Sequence, residues 1–587
     1  MRPISRRDAL IVGGLGAAAT VAGGAGLWWS LNSTQQPNGG GNSGGASPPQ
    51  GAELRGPAEL RSADGRLELT LDAAPGRVEL GGRQARALCY NGTVPGPTRR
   101  LRPGDELNVR LVNGLSEPTN LHVHGLHVSP QADADNVFIA VLPGQGVDYR
   151  YRLPPDHPPG VYWYHPHHHG MVADQIFAGL FGAIIVEDPE PIPVSTERVL
   201  LVSDTSLDSA GNIAAVSPME RMAGREGGLL LLNGQSDPLF TAQPGARERW
   251  RIINTCVARY LRLRLDGQQL QLLGMDSGRS PEPESVDELL LAPGNRADLL
   301  VTAAAGEAVL QALPYNRGAM PGMMMGRGAV PARGAGTLAT FRVSGAAAAP
   351  PGAVTSRPAQ EDLRTAAVAA RRQIVLSMGA GPGRRGGGGG MGGMGFTING
   401  REYDEARTDT TVAAGTVEEW TLVNTSPMDH PFHLHVWPMQ LIDDNGQAVG
   451  SVVMRDVVNV RANGRATVRI AFRDFSGRSV YHCHILDHED LGMMGVIEVR
   501  GPGTPVPRIP PRGMVKHAGH SVAMFKNRFW LTLVLAVPVV FFSPMFGHLL
   551  GYQAPVFPGS AWIPPALGTA IFFYGGEPFL KGALTMS

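Results

Sequence analysis

Residues 481–493 have the sequence Tyr481-His482-Cys483-His484-Ile485-Leu486-Asp487-His488-Glu489-Asp490-Leu491-Gly492-Met493. In this stretch Cys483 offers a soft thiolate, His488 an imidazole and Met493 a thioether. A thiolate with two imidazoles and a weak axial thioether is the donor set of a blue-copper electron-transfer site. The second imidazole is available at His430, which begins the segment His430-Pro431-Phe432-His433-Leu434-His435.

Four segments of the chain carry a histidine pair separated by a single residue. Successive side chains of a strand point to opposite faces, so each pair presents both imidazoles on one side and its middle residue on the other. His482 and His484 are therefore predicted to face one metal site while Cys483 faces another. A lone histidine is usually a hydrogen-bonded core or surface residue, but this recurrence around a cysteine indicates metal ligands. The pairs are His122-x-His124, His165-x-His167, His433-x-His435 and His482-x-His484.

An internal repeat indicates where these pairs belong. Three times an Asn-Gly turn is followed by a glycine that begins a strand and by an asparagine nine residues after that glycine. Alternating apolar residues between the glycine and the asparagine are typical of half-buried strands. The recurrence predicts three homologous all-β domains. The marking residues are Gly104 with Asn113, Gly245 with Asn254, and Gly415 with Asn424.

Only the first and third repeats carry histidine pairs. Nine residues beyond the asparagine stand His122 and His433, whereas the second repeat has Leu263 at this position. Pro166 occupies the position in the first repeat that Cys483 occupies in the third, so only the third can hold a thiolate-bound copper. Two half-sites of four histidines most simply meet across an interface between the first and third domains. Eight imidazoles suit a cluster of three coppers.

With these motifs, residues 54–500 resemble the three-domain multicopper oxidases, the laccase-like family. The resemblance implies three cupredoxin-like Greek-key β-sandwich domains and four copper ions. It also implies one-electron oxidation of a substrate at a type 1 copper and reduction of dioxygen to water at a three-copper cluster. It assigns type 1 copper to His430, Cys483, His488 and Met493, type 2 copper to His122 and His433, and the paired type 3 coppers to His124, His165, His167, His435, His482 and His484.

Acids near the cluster should take part, because reduction of dioxygen consumes protons. Glu489, directly after His488, and Asp133, nine residues after His124, match acids that the family uses as proton donors. The residues after Asp133 depart from the family's glycine-rich continuation, which leaves Asp135 as an alternative acid. Asp456 is a further candidate, expected either beside the type 1 site or in an ion pair with Arg455 or another base.

The resemblance leaves two classes of reducing substrate, cuprous ion and phenols or aromatic amines. An axial Met493 favours easily oxidised substrates, and thioethers in general prefer cuprous ion to harder metals. Methionine-rich insertions occur in the family's cuprous oxidases, although such segments are also typical of flexible low-complexity loops. The methionines in question are Met320, Met323, Met324 and Met325 in one segment, and Met391 and Met394 in another.

A non-catalytic copper store or carrier is the alternative function, but it would not need the His-Cys-His arrangement. Lys plus Arg equals Asp plus Glu at 51 each, so no strong electrostatic field favours nucleic acid or another polyanion. Of the three cysteines, Cys89 and Cys256 are predicted to be buried thiols rather than a disulfide.

The N-terminus resembles a twin-arginine export signal, with Ser5-Arg6-Arg7-Asp8-Ala9-Leu10 before an apolar run. It predicts a periplasmic or other extracytoplasmic location, and retention of the signal as a membrane anchor stays open. The predicted organisation is the export signal over 1–31, a flexible linker over 32–53, cupredoxin domains over 54–190, 191–345 and 396–501, a linker with a Gly/Met-rich loop over 346–395, and a Pro-rich linker with an apolar tail over 502–587.

The tail is unusual for an exported enzyme. Phe529 to Leu550 is apolar and of membrane-spanning length, although Pro538 and Pro544 interrupt it. Residues 517–545 resemble the start of a copper-transporting P-type ATPase, but neither its phosphorylation motif nor its intramembrane cysteine motif is present. The expectation is a truncated fusion, with membrane association through the tail as the alternative.

Overall fold

The computed structural model describes residues 51–318, 335–379 and 395–501, together with short pieces between 535 and 569. The described residues up to 501 belong to one compact unit and those beyond 503 to a second. The second unit contains a 3₁₀ helix, Ser560–Trp562. No helix in the described part of the chain is both long and apolar enough to cross a membrane. The predicted export signal, both methionine-bearing segments and most of the predicted span lie outside the described residues.

The first repeat consists of two sheets and a short helix. Its elements are β1 (Glu59–Arg61), β2 (Arg66–Leu80), β3 (Arg83–Tyr90), β4 (Gly96–Leu101), β5 (Glu106–Asn113), β6 (His122–His124), β7 (Gly146–Arg152), β8 (Gly160–His165), α1 (Val172–Phe177) and β9 (Gly182–Val186). The strand orders are β1-β4-β9-β8-β6 and β3-β2-β5-β7. Leu71 and Val109 of one sheet share a buried core with Tyr162 and Ile184 of the other.

The second repeat has the same two-sheet plan. Its elements are β10 (Thr196–Thr205), α2 (Pro218–Ala223), β11 (Leu229–Leu232), β12 (Leu239–Ala242), β13 (Arg247–Asn254), β14 (Leu261–Leu265), β15 (Gln269–Met275), β16 (Glu284–Val286), β17 (Glu288–Leu291), β18 (Arg296–Thr302), β19 (Gly306–Leu313) and β20 (Gly336–Val343). The strand orders are β11-β10-β13-β18-β15-β16 and β12-β20-β19-β14-β17. Trp250 of the first sheet packs with Phe341 of the second.

The third repeat completes the unit. Its elements are a 3₁₀ helix (Leu363–Thr365), β21 (Val368–Gly379), β22 (Gly395–Ile398), β23 (Thr410–Ala413), β24 (Thr416–Asn424), β25 (His430–Leu434), β26 (Met439–Asp444), β27 (Gln447–Ala448), β28 (Met454–Arg455), β29 (Val457–Val460), β30 (Arg465–Phe472), β31 (Gly477–Cys483), α3 (Leu486–Asp490) and β32 (Met494–Arg500). The strand orders are β22-β21-β24-β30-β26-β27 with β28 on β26, and β23-β32-β31-β25-β29.

One asparagine holds an equivalent turn in each repeat. Asn113, Asn254 and Asn424 end β5, β13 and β24. In each case Oδ1 accepts the backbone N–H two residues ahead, and Nδ2 donates to two or more backbone carbonyls. The shared hydrogen bonds confirm that the sequence repeat is a structural repeat, and the prediction of an all-β chain is confirmed for the described residues up to 501.

The predicted linker over 346–395 is wrong in part. Val368–Gly379 is a twelve-residue strand, β21, that pairs in parallel with β24 of the third repeat. Alternate residues of β21 are exposed, and Arg371 and Arg372 on it are satisfied by Glu419 and Glu418 of β24. The polar character of the strand therefore reflects cross-strand ion pairs rather than a linker.

A separate buried core, called here the shared core, contains residues of all three repeats. Trp163 and Ile185 of the first repeat belong to the same apolar cluster as Ile253 of the second and Phe432 and Cys483 of the third. In β8, alternation directs Tyr162 and Tyr164 to the first repeat's own core and Trp163 to this shared core. The histidine at the end of β8 is thereby carried to the interface between repeats.

Candidate metal centres

The side chains of β31 alternate between the shared core and the interface of the third repeat with the first. Cys483 lies in the shared apolar core, whereas Val480 packs with Val137 in a cluster between the third and first repeats. β31 pairs with β25 so that His482 is opposite His433 and Cys483 is opposite Phe432. This register places two histidine-bearing strands side by side and confirms that His482 and Cys483 face different surroundings.

The first candidate centre, called here the thiolate site, comprises His430, Cys483, His488 and Met493. Cys483 Sγ lies 3.3 Å from His430 Nδ1 and 3.9 Å from His488 Nδ1. The Nε2 atoms of the two histidines, which point away from the sulfur, contact protein oxygens. His430 Nε2 lies 2.7 Å from Ser426 Oγ, and His488 Nε2 lies 3.2 Å from the Met222 carbonyl. Hydrogen bonds on Nε2 leave both Nδ1 atoms free to bind a metal beside the sulfur.

Burial controls the chemistry of the thiolate site. Cys483 and Met493 have no solvent exposure, and the Cys483 N–H donates to the Met493 carbonyl at 3.0 Å. Burial raises the pKa of the Cys483 thiol above its usual value. A thiolate at this position therefore requires a bound cation, and a coordinating metal ion supplies that charge. The donor set fits copper.

The second candidate centre, called here the imidazole cluster, lies between the first and third repeats. Its ligand nitrogens form three compact triads: His122, His124 and His433; His124, His165 and His484; and His167, His435 and His482. Within the third triad, His482 Nε2 lies 3.1 Å from both His167 Nε2 and His435 Nε2. The structure therefore brings together all eight histidines of the four predicted pairs, with contributions from both repeats.

Hydrogen bonds within the imidazole cluster fit bound metal. His122, His124, His165 and His433 each have one ring nitrogen on a protein oxygen, at distances between 2.8 and 3.1 Å. Among the described residues, the other ring nitrogen of each is buried without a hydrogen-bond partner. Buried polar atoms are rarely left unpaired, and a hydrogen bond on one imidazole nitrogen is the usual arrangement when the other binds a metal.

The electrostatic state of the imidazoles also suits ligation. Burial lowers the pKa of every histidine in the imidazole cluster, to about 3 for His165 and about 4 for His482. Desolvation disfavours the charged imidazolium, so these rings are neutral at physiological pH. Neutral imidazole is the form that binds metal ions.

Asp135, rather than Asp133, contacts the imidazole cluster. The Asp135 carboxylate accepts from His122 Nδ1 at 2.9 Å and from the Val123 N–H at 3.1 Å, and burial raises its pKa to about 8. Asp133 is exposed, and its backbone carbonyl accepts the Arg150 N–H at 2.7 Å. Asp135, the alternative acid named from the sequence, thus occupies the site, because the loop directs its carboxylate to His122 and leaves Asp133 exposed.

Glu489 is fully buried beside the imidazole cluster. Its Oε2 lies 3.2 Å from His482 Nδ1 and its Oε1 lies 3.5 Å from His167 Nε2. In the described part of the chain, neither carboxylate oxygen has a hydrogen-bond partner. Burial and then the neighbouring Asp490 raise the pKa of Glu489 well above its ordinary value. The side chain therefore binds a proton more readily than a solvent-exposed glutamate does, and it lies next to two candidate ligands.

Asp456 lies at the imidazole cluster and not beside the thiolate site. Its Oδ1 lies 3.1 Å from His124 Nε2, and its backbone carbonyl accepts from His433 Nδ1 at 2.8 Å. The carboxylate forms a two-pronged ion pair with Arg296 of the second repeat. The sequence offered no signal for Arg296, because 160 residues separate it from Asp456. The prediction of an ion pair is confirmed, with Arg296 as its base.

The two centres are joined through one short piece of backbone. Cys483 is bonded to His482 and His484, which belong to two different triads of the imidazole cluster. Copper bound at both centres would supply one-electron transfer from a reductant and its delivery to dioxygen. The protein supplies a buried route between the centres, fixed ligand geometry and, at Glu489 and Asp135, buried acids next to the place where oxygen would be reduced.

Comparison with known proteins agrees with these centres. Three family models, each described as multicopper oxidase, match residues 73–191, 203–311 and 377–502. A multicopper oxidase of Mycobacterium tuberculosis is 30% identical over 456 residues, covering 72% of this chain and 85% of the relative. A multicopper oxidase of Staphylococcus aureus is 26% identical over 450 residues, covering 74% of this chain and 89% of the relative.

Solved structures give the same result. A multicopper oxidase from Campylobacter jejuni superposes with a TM-score of 0.67 at 32% identity, covering 78% of this chain and 96% of that structure. A laccase from Pediococcus acidilactici superposes with a TM-score of 0.65 at 25% identity, covering 77% and 95%. These matches favour catalysis over copper storage. The chain belongs to the multicopper oxidase family, and it is a copper enzyme with cupredoxin-like repeats that oxidises a reducing substrate with dioxygen as acceptor.

Proposed function

We propose that the reducing substrate is cuprous ion, so that the enzyme removes Cu(I) by oxidising it. The observation that carries this proposal is the position of the two methionine-bearing segments in the chain. Each segment joins the described structure at a residue close to the thiolate site. Soft thioethers bind Cu(I) in preference to harder metal ions, so methionines carried by segments that begin or end near the thiolate site favour Cu(I) as the reductant.

The first segment, which contains Met320, Met323, Met324 and Met325, follows directly after Gly318. Gly318 forms a β-bridge with Met428, and the Arg317 backbone carbonyl accepts the Asp429 N–H at 2.7 Å. Asp429 immediately precedes His430 of the thiolate site. The chain therefore enters the first methionine-bearing segment within a few residues of a type 1 ligand.

The second segment, which contains Met391 and Met394, ends directly before β22. Phe396 in β22 stacks on the His488 ring, with ring centroids 4.8 Å apart. Met394 is two residues before Phe396 in the chain. The second segment thus connects to a residue that touches the thiolate site, and the first connects to residues that contact those directly before His430, although the two segments are far apart in sequence.

A third contact restricts access to His488. Helix α2 begins with a capping box between Ser217 and Glu220, which fixes the first turn. Its Met222 carbonyl accepts from His488 Nε2, while Met219 on the same helix is half exposed. A phenol cannot reach the covered Nε2 edge directly, whereas an ion delivered by sulfur ligands needs no such contact. The Campylobacter jejuni neighbour is described as a metallo-oxidase, which is consistent with a metal-ion reductant.

The residue roles in this proposal follow the sequence analysis. Type 1 copper is held by the thiolate site and type 2 copper by His122 and His433. The type 3 pair is held by the two triads His124, His165 and His484, and His167, His435 and His482, whose compactness supports this division. Glu489 and Asp135 are proposed to handle protons.

The test is oxygen uptake by the copper-loaded full chain with Cu(I) or a phenol as reductant. Replacing Met320, Met323, Met324 and Met325 by leucine keeps length and apolarity but removes the sulfur ligands. We expect Cu(I) oxidation to fall while phenol oxidation is unchanged, because the thiolate site itself is untouched. A variant with unchanged Cu(I) oxidation, or wild-type protein that oxidises the phenol faster than Cu(I), would contradict the proposal.

We further propose export by the twin-arginine route to the periplasm or another extracytoplasmic location. The supporting feature is Arg6-Arg7 before an apolar run. For residues 502–587, part of which resembles the start of a copper-transporting P-type ATPase, we propose a truncated fusion, with membrane association as the alternative. Replacing both arginines by lysine should retain the enzyme in the cytoplasm. Equal export of that variant would overturn the assignment.

A further inference from the structure

Among its described residues the second repeat supplies no ligand to the thiolate site or the imidazole cluster, yet it reaches both centres. None of the candidate metal-binding groups found among the described residues includes a residue of this repeat. Its turn before β18 nevertheless packs against the imidazole cluster. At Gly294, whose φ is +86°, an added Cβ would lie 2.8 Å from His484 Nε2. The repeat therefore forms part of the wall around the cluster.

Arg296, at the start of β18, joins all three repeats. Its Nη1 and Nη2 donate to the two carboxylate oxygens of Asp456 at 2.5 and 2.6 Å, and its Nε donates to the Val161 carbonyl at 3.0 Å. Asp456 in turn holds His124 by its carboxylate and His433 by its backbone carbonyl. One guanidinium of the second repeat thus fixes a residue that orients two ligands, one from each of the other repeats.

The surroundings of this ion pair leave little freedom. Arg296 has no solvent exposure, and Asp276 accepts from its backbone N–H at 2.9 Å. Gly125, directly after His124, has φ +85°, and an added Cβ would lie 2.3 Å from Arg296 Nη2. The fork of an arginine binds a carboxylate in one plane, which a lysine cannot reproduce. The arrangement sets the position of Asp456, and with it the direction of the His124 ring.

A second buried arginine makes the corresponding contact at the thiolate site. Arg225, two residues after α2, donates to Asp487 from its backbone N–H at 2.8 Å and from Nε at 3.0 Å. Its Nη1 also donates to Asp174 of the first repeat at 2.6 Å. Asp487 is buried and directly precedes His488. This arginine therefore sets the position of α3, which carries His488.

We propose that the second repeat positions both copper centres through these two arginines, Arg296 for the imidazole cluster and Arg225 for the thiolate site. Residues that hold the ligands of a metal commonly change metal affinity by about 10- to 100-fold when they are removed. The two arginines act on different ligands, so each should affect its own centre. Neither arginine contact depends on the identity of the reducing substrate.

The experiment compares R296Q and R225Q in the full chain, with R249Q as a matched control. Arg249 is also a buried arginine of the second repeat, and it binds Asp298 at 2.8 and 2.6 Å, but none of its ion-pair partners touches either centre. The measurements are copper per chain, the EPR signal of the type 2 copper and the blue absorption of the thiolate-bound copper. They report on the two centres separately and do not depend on turnover.

R296Q should bind copper at the imidazole cluster about 10- to 100-fold more weakly and change the type 2 EPR signal, while keeping the blue absorption. R225Q should shift or weaken the blue absorption and keep the type 2 signal, and R249Q should keep both. R296K, which retains charge without the fork, should show the R296Q result in milder form. Equal effects of all three glutamine variants on both centres, unchanged spectra in R296Q and R225Q, or absence of folded protein from both R296Q and R296K would overturn the proposal.

Discussion

His482 and Cys483 are consecutive residues whose side chains belong to different metal centres. His482 Nε2 lies 3.1 Å from His435 Nε2 in the imidazole cluster, whereas Cys483 Sγ lies 3.3 Å from His430 Nδ1 in the thiolate site. Strand alternation makes this separation unavoidable once β31 is paired in register with β25. The same short stretch of backbone therefore carries ligands of both centres. Replacing Cys483 tests its role in the thiolate site without changing a ligand of the imidazole cluster.

Replacing Cys483 by serine should abolish the blue absorption and bring turnover down to background. The hydroxyl is a poor soft ligand, so the thiolate site loses its principal donor. The imidazole cluster should keep its copper, because none of its ligands changes. Cys89→Ala, which removes a buried thiol remote from both centres, serves as the control. Full turnover in Cys483→Ser, measured as oxygen uptake, would contradict the role assigned to the sulfur.

The ligand pairs and the repeat could be predicted because both are local patterns. A His-x-His pair on a strand fixes where two imidazoles point, whatever lies elsewhere in the chain. The Arg296–Asp456 pair could not be predicted, because it joins residues 160 positions apart with no shared motif. The choice between Asp133 and Asp135 also required the structure, since it depends on how a loop of the first repeat approaches His122.

The asparagine that marks each repeat should be a determinant of stability. Replacing Asn254 by alanine leaves the carbonyls of Arg259 and Leu291 without their Nδ2 donor inside the protein. Each unsatisfied buried group costs about 1–3 kcal/mol. The thermal unfolding midpoint of copper-free protein should fall, and it should stay close to wild type in Asn212→Ala, which removes a half-buried asparagine whose Nδ2 donates to Asp208 in a solvent-exposed hydrogen bond. Similar midpoints for the two variants would show that the repeat marker is not structural.

The three cysteines should be unreactive in the native protein. Cys89, Cys256 and Cys483 are free and buried, and burial raises the pKa of all three thiols. Because the thiolate is the reactive form, a thiol reagent at neutral pH should not modify the protonated Cys89 and Cys256 before unfolding, and burial with copper coordination should protect Cys483. After copper removal and denaturation under non-reducing conditions, three thiols should react. Recovery of only one would reveal a disulfide between Cys89 and Cys256.

Asp135 should control the type 2 copper, and Asp133 should not. Asp135→Ala removes the acceptor of His122 Nδ1, which fixes the ring so that Nε2 faces the cluster. Loss of such an orienting carboxylate should weaken copper binding at this position by about 10- to 100-fold. The exposed Asp133→Ala is the matched control. Copper per chain and the type 2 EPR signal measure the difference. Equal copper content and equal EPR signals in the two variants would contradict the preference for Asp135 over Asp133.

Glu489→Gln should separate proton supply from electron transfer. The side chain is buried 3.2 Å from His482 Nδ1, and glutamine keeps its size while removing the exchangeable acid. Copper content and the blue absorption should be retained, because Glu489 is not a proposed ligand. Reoxidation of the fully reduced enzyme by dioxygen should slow by roughly 100-fold, the scale of general acid catalysis. Glu489→Asp, which retains an acid, should recover part of the rate. Stopped-flow reoxidation is the measurement, and equal rates for wild type and Glu489→Gln would remove Glu489 from the proton path.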